Sequence, residues 1–283
     1  MRNDPDGHEW LSQLPDELAG QRRVMAGVLG FCAATPVVTS FSVGCSLGRG
    51  AADELSDIDA ALGVTDEASV GAAEALVSAA LPGFGPLVDL LRYQARHDDG
   101  IRRIFAQYAD RTQLDLAVVP QAKVKLAERP DFVALYLSPG APASAGDPAA
   151  PFVVSAEQVR EWAFIAWSEL LDIDKYLRRG SLWEAHDRLH DVRRHIWMLW
   201  AAATGAMYPW HGLSQVLDRD AGDLPPGIGA TVATLDAADL RRAARASAAV
   251  LSTASEAAAG KHPADLPTAL AGYVTALLGA AEP

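Results

Sequence analysis

GCSLGRGAADELSDIDAAL, residues 44–62, joins a small-residue turn and an arginine to two aspartates set two positions apart. In an extended chain residues i and i+2 project to the same face. Asp57 and Asp59 therefore share one side of a strand, while Ile58, Ala60 and Leu62 face a core. Adjacent carboxylates repel, and a divalent cation between them relieves the repulsion: Mg²⁺ takes one or two carboxylates together with phosphate oxygens and water. Alone, a DxD pair is more often a solvated strand end.

A third acid strengthens the metal reading. Asp115 sits in QLDLAVV, where the flanking leucines point to the opposite face and its carboxylate emerges from an otherwise apolar strand. Beside Asp57 and Asp59 it would complete a three-carboxylate set able to serve phosphoryl or nucleotidyl transfer. The preceding loop supplies complementary chemistry. Gly44, Gly48 and Gly50 permit tight turns and close approach of backbone N–H groups to a polyphosphate, Ser46 adds a hydroxyl donor, and Arg49 adds positive charge. The loop has neither the GxxxxGK[ST] spacing of a Walker loop nor the GxGxxG of a dinucleotide fold.

Around this stretch the first half of the chain reads as mixed α/β. Turn-bounded apolar runs at 37–45, 56–64, 86–94, 101–109 and 112–120 predict strands, and helical spacing at 16–34 and 66–80 predicts two helices. The run SPGAPASAGDPAAP, residues 138–151, reads as a linker. Beyond it the pattern is helical. SAEQ at 155–158 is a capping box opening a helix to residue 179, Gly180 stops it, and Ser181 starts a second that ends at Gly205. Further helices are expected over 235–258 and 264–279. The expected class is α+β, a mixed sheet with flanking helices in residues 1–140 followed by a helical bundle in residues 152–283.

The turn GCSLGRG, the eleven-residue step from Ser46 to Asp57, SDIDAAL and the later LDLAVVP together resemble the nucleotidyltransferase superfamily that includes the aminoglycoside and lincosamide nucleotidyltransferases. The likeness covers roughly residues 25–120; beyond it only the order of a sheet domain and a helical bundle is shared. The resemblance implies Mg²⁺ held by Asp57, Asp59 and Asp115, with Asp115 as third ligand or general base. It also implies a nucleoside triphosphate, ATP by expectation, seated on Gly44, Ser46 and Arg49, and a small hydroxylated, cationic acceptor of the aminoglycoside kind. A toxin-like enzyme modifying protein or tRNA and a noncatalytic nucleotide-binding module are the alternatives. One position departs from the family: Cys45 stands where a glycine usually precedes the serine.

Composition narrows the remaining classes. With 283 residues, half of them apolar, the chain has material for a large core. A net charge of −12 argues against nonspecific nucleic-acid binding, which depends on Lys and Arg. No basic segment leads into an apolar run near residue 1, and the richest apolar stretch, WMLWAAATGAMYPW, is too short to span a bilayer, so a cytoplasmic monomer or homodimer without membrane contact is expected. Cys32 and Cys45 lack metal or disulfide spacing and read as structural thiols.

The second half concentrates five of the seven tryptophans, Trp162, Trp167, Trp183, Trp197 and Trp200, among acids and arginines. Bundle packing is the plain reading of the aromatics. Acids from Glu169 to Asp191 could attract an ammonium group, and Arg188, Arg193 and Arg194 could meet a triphosphate, against the plainer reading of solvated faces and i to i+4 pairs. His186 and His190 stand at i, i+4 without the further ligand a zinc site needs.

Overall fold

In the computed structural model the described residues are 7–94, 100–124, 131–141, 153–217 and 223–280. The chain divides into two compact units, Met1–Ala149 and Ala150–Pro283. Most of the expected linker, residues 142–151, lies outside the described residues.

The first unit opens with α1 (Gly7–Ser12) and α2 (Ala19–Ala34), then β1 (Val38–Val43), a single helical turn α3 (Cys45–Gly48), and β2 (Ile58–Val64). Next come α4 (Val70–Ala80), β3 (Leu87–Tyr93), β4 (Arg102–Tyr108), β5 (Gln113–Pro120) and β6 (Val133–Leu137). The strands form one sheet in the order β3-β4-β5-β2-β1-β6. Only β2 and β5 run parallel; the other neighbours are antiparallel. The five expected strands are present, each within one or two residues of its reading.

Alternation gives the central strands a core face. Ile58 and Leu62 of β2, Leu114, Leu116 and Val118 of β5, and Ile104 and Ala106 of β4 are fully buried. They share one apolar cluster with Val24, Met25 and Val28 of α2 and Ala73 and Val77 of α4. Burial on this scale is the main stabilising term of the unit.

Two readings need correction. The helix expected from residue 66 begins at Val70, because the Asp66 carboxylate accepts from the Ser69 backbone N–H at 2.9 Å and its hydroxyl at 2.7 Å, closing a local turn that competes with the helix. The sixth strand, β6, was not among the expected ones; it pairs antiparallel with β1.

The second unit is helical, built from α5 (Ala156–Arg178), α6 (Leu182–Thr204), the short α7 (Gly212–Leu217), α8 (Ala237–Lys261) and α9 (Thr268–Gly279). The capping box is formed as read, Ser155 accepting from Gln158 N–H and Gln158 reciprocating. Gly205 ends α6 in the left-handed conformation at φ 78°. Trp162 and Trp167 lie in the bundle core with Leu170, Leu189, Ile196 and Leu251, whereas Trp183 is exposed. Asp172 pairs with Lys175, Asp174 with Arg178, and Asp191 with both Arg188 and Arg194, so most of these charges sit in local helix pairs. Among the described residues no helix is long and apolar enough to cross a membrane.

Candidate active site

The site is set by register. In the parallel pairing of β2 with β5, Asp59 lies opposite Asp115; in the antiparallel pairing of β5 with β4, Asp115 lies opposite Phe105. Neighbouring strands are about 4.8 Å apart, so the three side chains form a row on the face away from the α2–α4 core. Asp57 immediately precedes β2 and is exposed. The sequence alternation correctly placed Asp59 and Asp115 on the non-core face; their juxtaposition depends on the parallel pairing.

Asp115 is half-buried on that face. Partial burial raises its pKa above the ordinary carboxylate value, the Arg103 guanidinium opposes that rise, and the negative charge of Asp57 adds to it. Arg103 Nη1 stands 3.7 Å from Asp115 Oδ1, an ion pair rather than a hydrogen bond. Asp115 Oδ1 is buried and, among the described residues, has no hydrogen-bond partner. Among the described residues no three His, Cys, Asp or Glu side chains converge as a metal-ligand group. Asp57, Asp59 and Asp115 therefore occupy one region of the sheet without closing into the tight cluster their spacing suggests. Like charges repel, and Asp115 leans toward Arg103.

The loop is tied to the same strand. Gly44 N–H donates to the Asp59 carbonyl at 2.8 Å, and Gly48 N–H and Arg49 N–H close the α3 turn on the carbonyls of Gly44 and Cys45 at 3.1 Å each. The first N–H groups of such a turn, on Cys45, Ser46 and Leu47, have no i−4 carbonyl within it. Ser46 is half-buried and Arg49 exposed.

The glycines have a structural cause that the sequence did not disclose. A Cβ at Gly44 would strike the Phe132 ring, and one at Gly48 would strike the Asp131 carbonyl. Gly50 holds φ 70°. Packing beneath the loop thus demands glycine at 44 and 48 whatever lies above it. Cys45, the departure from the family pattern, holds φ 54°, a left-handed conformation that glycine adopts freely and a cysteine adopts at a cost.

Four contributors escaped the sequence reading. Gln21, buried on α2, donates through Nε2 to the carbonyls of Ser56 at 2.9 Å and Glu54 at 3.3 Å, holding the approach to Asp57. Phe132 supports the loop from below, and Arg103 and Phe105 come from β4. The alternation in IRRIFAQY could have found the last two, since Ile104, Ala106 and Tyr108 are buried and Arg103 and Phe105 must face the other way. Nothing in the sequence connects Gln21 or Phe132 to the loop.

No family model and no curated protein matches the chain. Among solved structures it is similar to an aminoglycoside 6-adenyltransferase from Bacillus subtilis, at 14% identity over 94% of this chain and 98% of that one, with a TM-score of 0.40. It is also similar to a nucleotidyltransferase-like protein from Exiguobacterium sibiricum, at 13% identity over 86% of this chain and 78% of that one, with a TM-score of 0.37. At these scores the case for the site rests on its own residues and geometry.

Proposed function

We propose that the first unit transfers a nucleoside monophosphate from a nucleoside triphosphate, ATP by expectation, to a hydroxyl group of a small molecule, releasing pyrophosphate. The observation that carries this reading is the in-register pairing of β2 with β5, which sets Asp59 beside Asp115 on the non-core face while the Gly44 loop is bonded to Asp59. The sequence likeness in GCSLGRG, SDIDAAL and LDLAVVP supports it independently.

The donor set suits a hard divalent cation: it consists of carboxylate oxygens, and Asp115 Oδ1 is buried with no hydrogen-bond partner among the described residues. Asp57, Asp59 and Asp115 would hold Mg²⁺, whose chemistry when bound is to neutralise charge on the triphosphate. The loop amides, the Ser46 hydroxyl and Arg49 would seat the phosphates, fixing the α-phosphorus for attack. In the transfer, a bond forms from the acceptor oxygen to the α-phosphorus as the bond to the bridging oxygen breaks. The hydroxyl proton passes to a base. Asp115 suits that role because burial raises its affinity for a proton.

In the same reading the second unit is the substrate-binding one, and the favoured acceptor class is an aminoglycoside-like antibiotic. The test is to incubate the protein with Mg²⁺, each of the four nucleoside triphosphates and a panel of aminoglycosides, lincosamides and other hydroxylated metabolites, following pyrophosphate and product mass. Asp115→Asn, which removes both a Mg²⁺ ligand and the base, should lower turnover by about 10² to 10⁴. Pyrophosphate from no acceptor, with nucleotide–Mg²⁺ binding unchanged by Asp57→Ala, would refute the proposal. A mass shift only on protein or RNA would refute the small-molecule acceptor.

A further inference from the structure

The helical unit carries a cavity of about 330 Å³ lined by His190, Arg193, Arg194 and Trp197 of α6 and by Trp210, His211, Gly212 and Leu213 of the segment that folds back on α6. Among the described residues four of these side chains are basic or imidazole and none is acidic, in a chain whose formal charge is −12.

Its walls are built by close packing. A Cβ on Gly212 would lie 2.6 Å from the backbone of both Trp197 and Met198, so only glycine lets this segment sit against α6 and bring the two indoles to one cavity. The Trp210 ring is braced by Tyr208 at 5.4 Å and His211 at 5.9 Å between centroids.

The charge accounting leaves a surplus. Asp191, mostly buried beneath this face, is shared by Arg188 at 2.9 Å and Arg194, and Arg188 also meets Asp187 at 3.4 Å, so two carboxylates stand against these two guanidiniums and the surplus lies with Arg193. Arg193 donates to the Thr231 carbonyl at 2.9 Å and, among the described residues, has no carboxylate partner. One guanidinium without a carboxylate partner among the described residues, Arg193, next to a second, Arg194, that shares its carboxylate, and beside two aromatic faces, suits a ligand with one flat apolar part and one anionic group.

From this juxtaposition we infer that the cavity between α6 and the segment at residues 210–213 binds a small aromatic anion, an aryl carboxylate or aryl phosphate. The ring lies against Trp197 and Trp210 and the anionic group meets Arg193 and Arg194. This site is separate in kind from a pocket for a cationic amino sugar and does not depend on the proposed transfer reaction.

Isothermal titration of the full chain with four naphthalene probes tests it: 2-naphthoate, 2-naphthyl phosphate, neutral 2-naphthalenemethanol and cationic 2-naphthylmethylamine. At least one anion should bind about tenfold or more tightly than the alcohol, and the amine more weakly still. Which anion binds better distinguishes carboxylate from phosphate. Arg194→Gln should remove the preference over the alcohol, and Trp210→Ala should weaken anions and alcohol together. Both side chains are substantially exposed, and circular dichroism checks that the variants fold. The inference is overturned by absence of binding at millimolar anion, by equal affinity for anion and alcohol, or by anion binding unchanged in both folded variants. It is also overturned if sedimentation shows two copies dimerising through this patch and thereby excluding the probes.

Discussion

Cys45 offers a test of the loop that needs no substrate. Its backbone sits at φ 54°, where a residue bearing a Cβ is disfavoured by about 1–2 kcal/mol. Glycine escapes that cost, but its freer unfolded chain works against it by roughly 0.4–1 kcal/mol. Comparing Cys45→Gly with Cys45→Ala isolates the backbone, since both remove the thiol and only one removes the Cβ. At an ordinary position alanine would be the more stable. Here the order should reverse, with the glycine variant ahead by about 0.5–1 kcal/mol, from the difference of the two costs. That corresponds to about 1–4 °C in the melting temperature of a domain of this size. Six of the seven tryptophans lie in residues 150–283, so fluorescence would report the wrong unit; calorimetry, or hydrogen exchange of β2 peptides, reads the right one. An alanine variant equal to or more stable than the glycine variant would refute the claim of strain. If the reversal is found, nucleotide affinity of the glycine variant then measures whether the family's usual residue improves the phosphate seat.

The other expectations follow from packing and titration. Gly48→Ala drives a methyl group toward the Asp131 carbonyl and should destabilise the first unit by about 1–3 kcal/mol, readable as a fall in its calorimetric transition. Burial pushes the Cys32 thiol up to about 12, so iodoacetamide at pH 8 should label the half-buried Cys45 and spare Cys32 until the protein is unfolded, as counted by intact mass. The backbone N–H of Thr234, with Arg242 and the Thr234 hydroxyl, holds the Asp239 carboxyl at about 2, below its unfolded value of about 3.9. The stability it adds is therefore present above about pH 4 and lost as pH falls toward 2, and the difference in urea midpoint between wild type and Asp239→Asn should shrink across that window.

What the sequence disclosed and what it withheld divide along the range of the interactions. Alternation is local, so SDIDAAL and QLDLAVV reported which face each aspartate takes, and the cap at Ser155 reported where α5 begins. The turn closed by Asp66 is equally local, yet acids followed by apolar residues also describe a helix start, and only the bond to Ser69 decides between them. β6 is short, only Leu135 of it is buried, and its partner β1 lies about ninety residues earlier, so its five residues carry little periodic signal. The site itself depends on long-range register. Asp59 and Asp115 meet because β2 and β5 pair in parallel, and shifting β5 by one residue would place Leu114 or Leu116 opposite Asp59 and turn the carboxylate into the core. That slip would bury a charge while expelling three leucine- or valine-sized side chains, Leu114, Leu116 and Val118, from a core where each is fully buried. At about 1.5–3 kcal/mol for each exposed side chain, the core itself enforces the register that sets the two acids side by side. The apolar residues between the acids are thus part of the site, although none of them would touch a substrate.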